Sequence, residues 1–328
     1  MIRVDQIKEH TLEALRVVEI RIHDVGFIRL LDWMGGDRDI EDAARMSYGK
    51  GTTKRQDTGA LIDYLWRNGH ASPFEMCSIK FNIRLPIFVM RQWIRHRTAS
   101  ANEMSLRYSE ALDLYYHPEE WRVNTSPNKQ ASHYAGDELR EKQDLAYSES
   151  LEASQNAYND LLHYDTAREM ARMVLPVSNY TEIVWKMDLR NLLGFLQQRL
   201  DEHAQKEIRD YAEALKEIVR LWVPYTWSAF ENHTLKALKL SFDETTLISK
   251  MMANESIADH LKGMGVLSRG FSWNQKSTKT EALIKKMERL GLFAQMVEQV
   301  AEEKEIHASA NADIFDKFLR ENKDEDNG

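Results

Sequence analysis

The 328 residues include one cysteine, six prolines and fourteen glycines. A lone cysteine, Cys77, excludes an intrachain disulfide and fits a reducing compartment. With so little proline and glycine, long helices joined by short connections are expected. No apolar run approaches the roughly 20 residues that a membrane-spanning helix needs. Residues 1–10 also lack the apolar centre of a signal peptide. A soluble, cytoplasmic protein with no membrane partner is the expectation. There is no cysteine pair, His-Glu-x-x-His run or calcium-loop spacing, so no metal is expected. Positive charge is in deficit too: 44 Lys and Arg face 52 Asp and Glu, a formal net charge of −8. Such a surface does not broadly attract nucleic acid, and any basic patch must be local.

What is present is periodic. Residues 1–24 read as an N-terminal helix leading into the fold, and 27–32 as a short strand ending in the turn Gly35-Gly36-Asp37. Helices are expected over 39–47 and 58–68, the second capped by Gly69. The clearest strand is 77–85, where Ile79, Phe81, Ile83 and Leu85 alternate with Ser78, Lys80, Asn82 and Arg84. Within it Cys77 reads as a buried, inert thiol rather than a nucleophile. Pro86 suits the first turn of a helix running to residue 95. Further on, a long helix is expected from Gly136 to about Tyr164, and a capping box, Thr166 to Glu169, opens another that Pro176 stops. Residues 180–187 read as a strand, Asp188 as a candidate cap for a helix over 189–198, and 205–222 as an amphipathic helix. Beyond about 240 the pattern changes. Residues 244–252, 281–290 and 293–303 read as helical, 263–279 as a loop and 321–328 as frayed.

The local basic patch lies between Lys80 and Tyr108, which hold six Lys or Arg and the single acid Glu103, a charge of +5. Arg91 and Arg95 stand four apart and would repel on one helix face, so they call for an anion or an acidic neighbour. Arginine's planar fork suits phosphate oxygens. Ser100, Asn102, Glu103, Ser105 and Arg107 then supply directed hydrogen bonds in a segment expected to be a loop wrapping a polar ligand. His96 sits between Arg95 and Arg97, which disfavours its protonated form. An alternative reading makes segment 91–107 a nucleic-acid footprint, with Trp93 and Tyr108 stacking on bases.

Residues 95–108 read R-H-R-T-A-S-A-N-E-M-S-L-R-Y. The segment resembles the signature of flavin-dependent thymidylate synthases, the thymidylate synthase-complementing protein family. Arg95, His96, Arg97, Ser100, Asn102, Glu103, Ser105, Arg107 and Tyr108 fill its fixed positions. The resemblance extends to Arg45-Met46-Ser47, to 69–75, 86–93 and 171–176, and to 189–205 ending in His203-Ala204-Gln205. It implies an α+β fold, helix-rich around a central, mainly antiparallel sheet. Residues 25–240 form the implied catalytic core. Residues 1–24 precede it as an N-terminal extension, and 241–328 follow as a helical C-terminal extension with no assigned role.

The same resemblance implies the methylation of dUMP to dTMP. Methylenetetrahydrofolate supplies the carbon and becomes tetrahydrofolate; NADPH supplies reducing equivalents through FAD; the enzyme is a homotetramer with shared active sites. Gln92, Arg95, Glu103, Met104, Ser105, Leu106, Arg107, Arg172 and Arg199 are the implied dUMP residues. Ser72, Arg95, His96, Arg97, Glu103, Asp188, Arg190, Gly194 and His203 are implied for FAD, with Ser47, His70 and Glu75 in support. Asp188 and Gly194 depart from the asparagines frequent at those positions, and Asp188 is equally a plain helix cap. Arg199 is the expected catalytic residue, its guanidinium set against the uracil ring to stabilise developing negative charge. The bland alternative pairs it with Asp201. Ser105 has no evident base nearby, so it is read as a hydrogen-bonding group rather than a nucleophile.

Overall fold

A computed structural model describes residues 1–47, 58–123, 136 and 139–246, with the backbone alone at 124 and 132–134. The chain divides into two compact units, Met1–Ala237 and Leu238–Gly328.

The first unit is α+β. Its centre is a five-stranded sheet in the order β1-β2-β3-β7-β4, antiparallel at every pairing. The strands are β1 (Ile20–Ile22), β2 (Gly26–Met34), β3 (Ser78–Pro86), β4 (Ala99–Glu103) and β7 (Tyr180–Asp188). A separate hairpin pairs β5 (Arg122–Asn124) with β6 (Ser132–Tyr134). The spine is β3 against β7, in unbroken register from Ser78↔Asp188 to Pro86↔Tyr180. The alternation read from β3 matches its burial: Ile79, Phe81, Ile83 and Leu85 are inside, while the residues between them are half-buried.

The unit also carries the helices α1 (Asp37–Met46), α2 (Thr58–Arg67), α3 (Ile87–Trp93), α4 (Arg140–His163), α5 (Arg168–Ala171), α6 (Leu189–Arg199), α7 (Lys206–Trp222) and α8 (Pro224–Phe230). Of these, α3, α6 and α7 pack on the sheet. Helix α7 buries Ile208, Tyr211, Ala212, Leu215, Ile218, Val219 and Trp222, a stripe at three- and four-residue spacing. Beneath the sheet an aromatic cluster joins four elements. Trp93 lies 5.2 Å from Trp185, 4.7 Å from Phe195 and 5.9 Å from Tyr211, centroid to centroid. Burying each such ring contributes about 1.5–3 kcal/mol, which ties α3, α6 and α7 to β7. Asp37 caps α8 across the fold: its carboxylate accepts from the N–H groups of Tyr225 (2.9 Å) and Thr226 (3.0 Å).

Several expectations change. Residues 1–24 are not an α-helix; they form 3-10 turns at Val4–Glu9 and Ala14–Val17 and then β1. Burial of Ile7, Leu15 and Ile20 against the core decides this, and a continuous helix would not place those three together. The capping box at Thr166 does not form: α5 has Ala167 at its N-cap with no side-chain bond, because Glu169 turns to Arg107 instead. Pro224 does more than end α7; it occupies the first turn of α8. Asp188 does cap α6, accepting the Asn191 N–H at 2.9 Å.

In the second unit the described residues are 238–246. There Ser241 and Glu244 cap one another reciprocally: the Ser241 N–H donates to the Glu244 carboxylate (2.7 Å), and the Glu244 N–H to the serine hydroxyl (3.3 Å). The helices expected at 281–290 and 293–303, the loop at 263–279, the tail at 321–328 and most of 244–252 lie outside the described residues.

Candidate active site

Pro86 ends β3 and starts α3, its φ of −64° being that of a helix entry. The helix closes earlier than expected, at Trp93, where Ile94 N–H bonds Met90 O. Arg95 therefore stands just past the helix end, while Arg91 lies within it, and both are exposed. A turn through His96, whose N–H bonds Trp93 O at 3.1 Å, leads the chain back to the sheet.

There the expected loop is instead a strand. Ala99–Glu103 pairs with β7 from Ala99↔Met187 to Glu103↔Ile183. The sequence Ala-Ser-Ala-Asn-Glu is poor in strand formers. What makes it a strand is the free backbone edge of β7, a tertiary partner that local propensity does not encode. The pleat divides the signature. Cross-strand partners share a face, so Glu103 lies on the side of Ile183 and Trp185, and Ser100 and Asn102 on that of Lys186 and Val184. Glu103 accepts the hydroxyl of buried Thr181 at 2.9 Å. Past the strand, Met104 N–H still bonds Glu182 O (2.9 Å), and Ser105 closes a turn by accepting Tyr108 N–H (3.1 Å) at its carbonyl.

At the C-terminal end of α6, Arg199 donates Nε–H to His96 Nε2 at 3.0 Å and a second N–H to Gln92 O at 3.3 Å. Guanidinium only donates, so His96 Nε2 must be unprotonated, which assigns a neutral ring with its proton on Nδ1. Burial, followed by the Arg199 charge, pulls the His96 pKa down to about 4. His96 was expected to be neutral because of Arg95 and Arg97; the actual causes are desolvation and the distant Arg199. Its ring packs edge-on against Phe195, 4.7 Å between centroids. Arg199 does not pair with Asp201, which binds His203 instead at 2.9 Å. The Gln92 amide bonds that of Gln205.

The remaining dUMP candidates gather less tightly. Arg107 pairs with Glu169 at 2.9 Å, which links the signature to the turn carrying Arg172. Arg91, Arg95, Arg97, Arg172 and Arg190 are exposed and make no ion pair among the described residues. On the other side, Ser72 and Glu75 belong to the 3-10 turn Ser72–Met76, which packs on α6. Leu189 N–H bonds Cys77 O (2.9 Å), so the start of α6 is fixed to the end of that turn. Asp188 gives both carboxylate oxygens to Asn191, 2.9 and 2.6 Å from its two nitrogens. Gly194 is half-buried, with open space where a Cβ would project. His70 is exposed and rests against Tyr64, 5.9 Å between rings, and Ser47 caps the end of α1.

Two aromatic and thiol readings are also settled. Cys77 is fully buried and its thiol donates toward Gly36 O at 3.5 Å. Burial, with Asp39 and Asp37 adding to it, pushes the thiol up to about 12, which makes it inert at neutral pH. Trp93 is only 1% exposed and so cannot stack on a base; Tyr108, at 76%, can. Sequence reasoning gave no site role to Thr181, Glu169 or Gln205. Each acts through a contact 62 to 113 residues away, for which no local pattern exists.

A family model described as thymidylate synthase complementing protein matches residues 29–225. The flavin-dependent thymidylate synthase of Thermus thermophilus is 48% identical over 248 residues, spanning 75% of this chain and 91% of that one. The enzyme of the same name from Ehrlichia ruminantium is 43% identical over 266 residues, or 77% and 86%. Among solved structures, the UMP/dUMP methylase PolB from Streptomyces cacaoi bound with 5-Br UMP superposes with a TM-score of 0.59. It is 33% identical, covering 65% of this chain and 98% of that one. The same methylase bound with 5-Br dUMP gives 0.59 and 32%. Fold and site thus fall in the class of flavin-dependent methyltransferase enzymes. Within that class, the chain belongs to the flavin-dependent thymidylate synthase family.

Proposed function

We propose that the enzyme methylates dUMP to dTMP, drawing its carbon from methylenetetrahydrofolate, which leaves as tetrahydrofolate, and its reducing equivalents from NADPH through FAD. The observation that carries this reading is the Arg199–His96–Gln92 group, a guanidinium fixed by two acceptors beside the signature strand. In this reading Gln92, Arg95, Glu103, Met104, Ser105, Leu106, Arg107, Arg172 and Arg199 hold dUMP, the arginines taking its phosphate and ring oxygens.

FAD brings a diphosphate, which needs donors not already neutralised. Arg95, Arg97 and Arg190 meet that condition, being exposed and without an acidic partner among the described residues, so the donor set fits the cofactor. Ser72, His96, Glu103, Asp188, Gly194 and His203 complete the assigned FAD surface, supported by Ser47, His70 and Glu75. Asp188 serves there chiefly by starting α6 beneath Arg190. Once bound, FAD supplies the hydride.

The chain's own residues supply position and charge. His96, neutral and packed on Phe195, holds the Arg199 fork at a fixed angle without competing for its charge. Half-buried Arg199 then faces negative charge developing on the uracil ring in a partly desolvated setting, where such a donor is strongest. Cys77 takes no part, so no covalent attack on the ring by cysteine is needed. Assembly as a homotetramer is the reading that suits the exposed Met170, Met173 and Val177, at 50, 69 and 57%, beside Arg172; a cytoplasmic location is part of the same proposal.

The test is spectral and chemical. Purified protein should show an oxidised-flavin spectrum that NADPH bleaches without oxygen, and should form dTMP when dUMP and methylenetetrahydrofolate are added. A chain that binds no added FAD and forms no dTMP overturns the assignment.

A further inference from the structure

Gln205 occupies the N-cap of α7 but makes no cap bond with its side chain, which is unusual where Ser, Thr, Asn or Asp are favoured. The side chain reaches sideways instead, and its Oε1 accepts from Gln92 Nε2. Two residues on lies Glu207, a buried carboxylate whose Oε1 accepts from Arg122 at 2.6 Å and from the Tyr116 hydroxyl at 3.0 Å. Burial opposes the charge on Glu207, but Arg122 overcomes it and keeps the carboxyl below its usual range, with the Gln205 amide adding to the effect.

The Gln205 carbonyl faces Gln92 and holds its amide by Nε2. Gln92 gives one N–H to Gln205 and keeps its second N–H and its Oε1 for a ligand. Its main-chain carbonyl meanwhile holds Arg199.

We propose that Gln205 is a positioning residue for the nucleotide, acting through the amide–amide bond that fixes Gln92. This rests on the reading of Gln92 as a dUMP ligand. Gln205 itself is exposed, so changing it removes orientation rather than core packing.

The test is a double-mutant cycle on the full chain with FAD added, read by equilibrium dialysis of labelled dUMP. Gln205→Met keeps the length of the side chain and loses the amide; Gln205→Ala is the second variant. Each should weaken dUMP binding about tenfold, the scale of one oriented hydrogen bond. In a Gln92→Ala background the same changes should weaken it less than about twofold, because the route to the ligand is already cut. A merely structural role would lower affinity equally in both backgrounds. That result, or unchanged binding by the single variants, overturns the proposal. A wild-type chain that does not bind dUMP overturns the functional reading, and this inference with it.

Discussion

Arg199 donates its Nε–H to Nε2 of His96 across 103 residues of sequence, at 3.0 Å. The bond joins the end of α6 to the turn before β4 and sets the protonation of one partner and the direction of the other.

Replacing Arg199 by Ala should leave the fold and flavin binding in place and lower kcat for dTMP formation by on the order of 10²–10³, the usual effect of removing one charge-stabilising donor. Arg199→Lys should recover little of this, since an ammonium lacks the planar fork that meets His96 and Gln92 together. Steady-state kinetics on flavin-loaded protein decides it; near-normal turnover in the Ala variant removes Arg199 from its role.

The lowered pKa of His96 makes stability depend on acid in a defined window. The unfolded ring takes a proton near 6.5, the folded ring only near 4. Between those values the unfolded chain binds more protons, so the stabilisation from neutral His96 is complete above about 6.5 and declines as pH falls toward 4. His96→Gln should flatten the dependence of Tm on pH across that interval. An NMR titration in which this imidazole protonates near 6.5 would contradict the structure.

Arg107 and Glu169 form an ion pair with both side chains about half exposed, 55 and 50%. Such pairs are worth roughly 0–1 kcal/mol. Glu169→Gln should therefore hardly move Tm. It should also tighten dUMP binding by a small factor, because an anionic phosphate no longer competes with a carboxylate for Arg107. Calorimetric titration with dUMP checks this, and a weaker-binding variant would give Glu169 a direct part in the site.

Cys77 should resist thiol reagents in the native state at pH 8 and react at once in denaturant. Cys77→Ala should retain dTMP formation at a cost in stability of about 1 kcal/mol, a small buried group lost. Rapid native labelling, or loss of activity with the fold intact, would contradict both burial and inertness.

The strands and helices with strong periodicity were legible from sequence. β3, α6 and α7 fall close to where alternation and three-to-four spacing put them, because each carries its own buried face. The cap at Asp188 was legible too, being local. β4 and β1 were not: Ala-Ser-Ala-Asn-Glu has weak strand preference, Ile20–Ile22 is too short to show a period, and both are strands through hydrogen bonds to β7 and β2. The same division holds in the site. Motif residues from Arg95 to Tyr108 were visible as a string of charge and donors. The partners that orient them, Thr181, Glu169 and Gln205, come from distant parts of the chain, and only folding brings them close.

The pairing of β4 with β7 also acts as a ruler. Along a strand the side chains alternate, so deleting one residue between Thr98 and Glu103 would transpose everything that precedes or follows the deletion to the opposite face. With the upstream end of the strand held, Glu103 would fall opposite Val184, on the face of Ser100 and Asn102, and lose Thr181, although the residue types of the site would still be present. The spacing of the signature is thus as much a part of the site as its composition, since only one phase of the pleat brings Glu103 to Thr181.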